Sequence, residues 1–78
     1  MYQTSDLYLT AALQESGQKL VKAVKDGNRS TFEFADTPEL HIAIEDYFAG
    51  RMILPANSLS ERIRTAKSMA LNAPMRNN

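Results

Sequence analysis

The sequence predicts a two-layer α+β domain, and three observations carry that reading. Thr37-Pro38-Glu39 opens a stretch with apolar residues at helical spacing, and Gly50 closes it. Just before it, Phe32 and Phe34 alternate with Thr31, Glu33 and Ala35, the two-residue period of a strand. Asp26-Gly27-Asn28 separates that strand from another strand-like run and signals a hairpin. A hairpin with an aromatic face and an amphipathic helix beside it bury one another as two layers.

Taken in order, the expected elements run α-β-β-α-β-α. The first helix spans about residues 5–16, capped by Thr4 or Ser5, with Asp6 in its first turn and Gly17 at its end. Leu9 and Leu13 are four apart and share one stripe. Lys19 to Lys25 reads as a strand with imperfect alternation, and Arg29 to Ala35 pairs with it. A one-residue slip would expose both phenylalanines, so they set the register.

The second helix carries the fullest apolar pattern: Leu40, Ala43, Ile44, Tyr47 and Phe48 at i, i+3, i+4, i+7 and i+8. It is expected to be the chief core element. Met52-Ile53-Leu54, stopped by Pro55, reads as a short third strand. Ser58-Leu59-Ser60-Glu61 has the form of a capping box and places the third helix at about 58–71. The domain therefore spans 1–71, with a flexible tail over 72–78.

With 78 residues the chain has room for one small core. A domain of this size hides roughly 60–65% of the surface its unfolded chain exposes. There is no cysteine, so disulfides and thiolate chemistry are excluded. No apolar run approaches a membrane span, and nothing at the start resembles a secretory leader. The expected location is the cytoplasm, of a bacterial cell or a phage-infected host.

The formal net charge is zero, but the signs are segregated. Residues 19–29 set Lys19, Lys22, Lys25 and Arg29 against Asp26 alone. Residues 30–50 hold Glu33, Asp36, Glu39, Glu45 and Asp46 with no Lys or Arg. Residues 51–78 set Arg51, Arg62, Arg64, Lys67 and Arg76 against Glu61. Such blocks either complement one another within the fold or steer a partner.

Catalytic and metal-binding signals are sparse. His41 is the single histidine and has no orienting partner or nucleophile at a recognisable spacing. One histidine without cysteine makes a poor zinc site. Glu33, Glu39 and Glu45 could serve a carboxylate-pair hydrolase only if folding brought two of them together. The three glycines sit at element boundaries and form no phosphate loop. No catalytic residue, metal ligand or cofactor is therefore expected.

Tyr2-Gln3-Thr4-Ser5-Asp6-Leu7-Tyr8-Leu9-Thr10-Ala11-Ala12-Leu13, then Phe32-Glu33-Phe34-Ala35-Asp36, then Tyr47-Phe48-Ala49-Gly50 and Arg64-Thr65-Ala66-Lys67, resemble a small prokaryotic domain family of unknown function. That family occurs in bacterial and mobile-element genomes. Thr10 stands here for the usual alanine and Ala66 for the usual leucine. The resemblance implies a small cytoplasmic domain, linked to phage, with no catalytic residues to carry over.

Two binding functions follow. The first is a non-enzymatic protein-binding domain, an inhibitor or modulator of a host defence complex. Its partner would be basic or part of a nucleoprotein, met by Glu39, Glu45, Asp46 and Tyr8; a homodimer is a further way to bury apolar surface. The alternative is a nucleic-acid-binding regulator. It would use Lys19, Lys22, Lys25 and Arg29 of the hairpin with Arg64 and Lys67 of the third helix as one basic patch.

Overall fold

A computed structural model describes residues 1–76. The fold is α+β, in the order β1 (Tyr2–Thr4), α1 (Leu7–Glu15), β2 (Leu20–Asp26), β3 (Arg29–Phe34), α2 (Pro38–Phe48) and α3 (Ala56–Leu71). The three strands form an antiparallel sheet ordered β1-β3-β2. β1 and β2 both oppose β3, so they run parallel to one another with α1 as their crossover.

This order corrects the expected one. Met52-Ile53-Leu54 forms no strand, and the third strand is Tyr2–Thr4. The open side of β3 is taken by the start of the chain, with Tyr2 opposite Phe34, Gln3 opposite Glu33 and Thr4 opposite Phe32. Residues 52–54 do alternate, Met52 and Leu54 half-buried and Ile53 94% exposed, but they line the helices instead of pairing.

Using Thr4 in β1 moves the first cap inward. Asp6, expected in the first turn, is itself the N-cap of α1 and accepts from the amides of Tyr8 and Leu9 at 2.9 and 3.0 Å. Thr37 caps α2 as expected, accepting from the Leu40 amide at 3.1 Å, with Pro38 in first place. α3 starts at Ala56, before the expected capping box. Pro55 O receives its first helical bond, from Leu59 N at 2.9 Å, so Ser58 lies inside the helix and caps nothing.

The hairpin turn also differs in detail. Gly27 and Asn28 are its central residues, and only Gly27 has positive φ, at 64°. That is the glycine position of a type II′ turn. α2 ends in a Schellman motif around Gly50 (φ 72°), with Arg51 N on Asp46 O at 2.9 Å and Gly50 N on Tyr47 O at 3.2 Å. The motif turns the chain back across the helices and so places the segment 51–55.

The core lies between the helices and one face of the sheet. Phe32, Phe34, Leu9, Leu13 and Leu40 are fully buried, joined by Ala43 and Ala66. Each large side chain contributes roughly 1.5–3 kcal/mol by leaving water. The central element is α1, buried without a break from Leu9 to Leu13, and not α2. Of the expected α2 face, Leu40 and Ala43 are buried, Ile44 and Tyr47 are half-buried, and Phe48 is 67% exposed. The five-residue stripe is wider than the surface α2 shares with its neighbours, so its C-terminal end projects.

The other sheet face has no helix over it but is not bare. The expected loose tail covers 72–78; residues 77 and 78 lie outside the described residues. Within them, Ala73 is buried and the chain runs beside β2, with Lys25 N donating to Pro74 O (2.8 Å) and Arg76 N to Lys25 O (2.9 Å). The Arg76 guanidinium then bonds Asp26 through Nε and Glu33 through Nη2, both at 2.7 Å. Those two bonds, Asp26 first, hold its pKa above the ordinary arginine value. Gln3 donates to the same Glu33 oxygen at 3.2 Å, and Glu33 is only 4% exposed.

Candidate functional site

Two adjoining depressions lie on the helical side. The first is an apolar cavity of about 380 Å³. α1 supplies Tyr8 and Ala12, α2 supplies Tyr47, the 51–55 segment supplies Met52 and Leu54, and α3 supplies Leu59 and Ile63. The second, about 640 Å³, is bordered by Glu15, Glu39, Ile42, Asp46, Arg51 and Ile53. Met52 and Leu54 line both, so the two form one groove along either flank of the same segment.

Local sequence explains the lining. The Schellman turn at Gly50 sends residues 51–55 out extended, and their alternation points Met52 and Leu54 to the helices. Leu59 and Ile63 are four apart on α3, and Tyr8 and Ala12 four apart on α1, so each pair presents one face. Glu39, Ile42 and Asp46 fall at i, i+3 and i+7 and share the α2 face beside the second depression.

The rim is charged and mostly paired. Arg51 Nε meets Asp46 Oδ1 at 3.0 Å, and Arg62 Nε meets Glu15 Oε2 at 3.1 Å. Among the described residues Glu39 and Glu45 have no ion-pair partner. Burial raises the Tyr47 phenol above its ordinary value, with a smaller push from the negative charge of Asp6. Tyr47 also packs edge-to-face on Phe48, ring centres 5.1 Å apart.

The protein-binding candidates are thus partly united. Tyr8 enters the apolar cavity, and Glu39 and Asp46 border the second depression. Glu45 projects from α2 outside both.

The basic candidates do not form one stripe. Register places Lys22 and Arg29 on the helix-free face with Glu33. Lys25 points the other way, its Nζ donating to Leu71 O at the end of α3 (3.0 Å), where a cation favours the helix dipole. Ser30 Oγ donates to Ala70 O nearby, so the hairpin and α3 do adjoin. Arg29 Nε donates to Ser5 Oγ, and Arg64 sits 3.5 Å from Glu61. Lys19 and Lys67 are exposed and enter no ion pair among the described residues. Phe32 and Phe34 are under the helices and offer no stacking platform for bases.

His41 is exposed and meets Asp36 through Nε2. Glu33 is drawn to Arg76, away from the exposed Glu39 and Glu45, so the three glutamates do not converge. Among the described residues no cluster of three or more His, Cys, Asp or Glu could hold a metal ion, and no helix is long and apolar enough to cross a membrane.

A family model described as "Domain of unknown function (DUF5659)" matches residues 1–72. The chain belongs to this family. That agrees with the resemblance carried by the Tyr2–Leu13 and Phe32–Asp36 motifs, and every groove residue lies inside the matched span. No curated protein and no solved structure matches the chain. Sequence reading missed Met52, Leu54, Leu59 and Ile63 as site residues. Their spacing was visible, but only the turn after α2 brings them to Tyr8 and Tyr47.

Proposed function

We propose that this DUF5659 domain is a non-enzymatic protein-binding module and that the groove around residues 51–55 is its contact surface. One observation carries the reading. Ile53, Ile42 and Tyr8 all line the groove and stand 94%, 60% and 59% exposed, beside a cavity with mainly apolar walls. In a domain with so small a core, large apolar side chains grouped outside it mark a surface that another macromolecule covers. Tyrosines at the cavity suit such a contact, since tyrosine is enriched in interface cores. The acidic face of α2 favours a basic partner.

The test compares capture by the wild-type chain with capture by Ile42→Ser/Ile53→Ser, each eluate identified by mass spectrometry and the free protein's mass measured in solution. A protein retained by the wild type and lost from the double variant supports the reading. A monomer that retains the same proteins with and without the two apolar side chains refutes it. Nucleic acid recovered instead, with a steep salt dependence abolished by Lys22→Ala and Lys67→Ala, supports the alternative reading.

A further inference from the structure

We infer that the groove takes a short segment of the partner that combines one aromatic anchor with a nearby lysine or arginine. This rests on the protein-binding reading above and names the chemistry of the partner. The apolar cavity supplies the first half. At about 380 Å³ it falls at the low end of ligand-pocket sizes, suited to one large side chain. Its walls include Tyr8, Tyr47, Leu59 and Ile63, so an aromatic ring placed there meets both other rings and aliphatic carbon.

The second depression supplies the other half. Its lining sets three carboxylates, Glu15, Glu39 and Asp46, against one guanidinium, Arg51. Glu15 and Asp46 are already engaged by Arg62 and Arg51, which leaves Glu39 as the unpaired charge. Glu39 is exposed and shares its helix face with Ile42, so an incoming cation can lay its methylene stem on Ile42 and its charge on Glu39.

Continuity between the halves decides for a chain over a small molecule. Met52 and Leu54 belong to both depressions, with exposed Ile53 between them. A ligand that fills both must cross that ridge, as the backbone of a peptide does. An acidic or purely apolar segment would leave Glu39 repelled or buried unpaired.

The experiment selects random peptides displayed against the full chain, then measures the best binder by fluorescence polarisation. Selected peptides are expected to carry a Trp, Phe or Tyr with a Lys or Arg close by. Glu39→Lys, which leaves the core untouched, is expected to weaken the best peptide about tenfold at low salt, a loss that shrinks at high salt. Leu59→Trp fills the cavity and is expected to abolish binding. If that variant misfolds, amide shifts of Ala12, Met52 and Ile63 on titration with N-acetyltryptophanamide read the cavity in the wild type.

Peptides without a basic residue, or an affinity unmoved by Glu39→Lys, overturn the inference. So does a tryptophan probe that shifts residues elsewhere. A protein still captured through Ile42 and Ile53 in those cases leaves the module reading standing. Failure of both capture and selection removes the two together.

Discussion

The helix-free face of the sheet keeps a carboxylate under cover, whereas the groove between the helices leaves large apolar side chains in the open. Glu33 lies on an alternation that marks it for water, yet it is 4% exposed beneath Gln3 and Arg76. Ile53 sits at the centre of an apolar run that marks it for burial, yet it is 94% exposed on the groove. The first surface is closed by the chain's own residues 74–76, with its charge hydrogen-bonded. Among the described residues nothing closes the second. Burial is decided by which distant segment arrives, and among the described residues one reaches the first surface.

The largest expected effect strikes what the two surfaces share. Phe34 pairs with both Tyr2 and Leu20 and is fully buried between sheet and helices. Phe34→Ala removes a ring from a packed site and is expected to cost about 3–5 kcal/mol. For so small a domain that approaches the whole stability. Urea unfolding followed by circular dichroism should show no folded baseline, and groove and seal should be lost together. A variant that melts only slightly below wild type would mean that the surfaces are held independently.

Next comes the seal itself. Arg76→Ala leaves Glu33 covered but stripped of its charged partner, and frees residues 74–76 from β2. Stability should fall, by less than for Phe34→Ala. The Lys25 amide, bonded to Pro74 O at 2.8 Å, should exchange faster, while α1 amides keep their protection. Arg76→Lys should recover part of the loss, because one ammonium cannot reach Asp26 and Glu33 as a planar fork does. Equal exchange at Lys25 in wild type and Arg76→Ala would show that the tail does not close this face.

Some local features were legible in the sequence, though the capping signals of α1 and α3 were placed wrongly, and distant features were not legible. Thr37-Pro38 and Gly50 fixed the ends of α2 because caps act within a turn. Phe32 and Phe34 gave the covered face of β3 because strand alternation is local. β1 escaped notice because Tyr2-Gln3-Thr4 is too short to show a period. Met52-Ile53-Leu54 had the right alternation but the wrong partner, since a period of two reports inside against outside and not hydrogen bonding. Arg76 reaches Glu33 across 43 positions, and no local pattern announces such a contact. Of the site, Tyr8, Glu39 and Asp46 were visible as residue types, while the cavity that unites them is made by the fold.

A smaller effect is expected inside α1. Thr10 is fully buried and its hydroxyl oxygen has no hydrogen-bond partner among the described residues; Gln14 Oε1, one turn on, is in the same position. Thr10 is also where the family resemblance places alanine. Thr10→Val keeps the shape and replaces the hydroxyl with a methyl group. Removing an unsatisfied buried polar group should raise stability by about 1 kcal/mol. A loss of similar size in urea unfolding would show that the hydroxyl is satisfied after all.

The smallest effect belongs to the groove and appears only in alkali. Burial, and then Asp6, raise the Tyr47 phenol above its ordinary value of 10.0. The folded state then holds its proton where the unfolded state has lost it. The resulting stability is present in full below pH 10.0 and lost as pH rises through the higher folded value. Wild type should therefore weaken above that point more steeply than Tyr47→Phe, with the two alike at neutral pH. Asp6→Asn, which keeps a side-chain oxygen for the α1 cap, should bring the Tyr47 titration part of the way back, read by phenolate absorbance against the Tyr47→Phe blank. An unchanged titration would assign the whole shift to the groove walls. A peptide seated over the ring desolvates it further and moves the titration up again, so the same measurement reports whether the open surface has been closed by a partner.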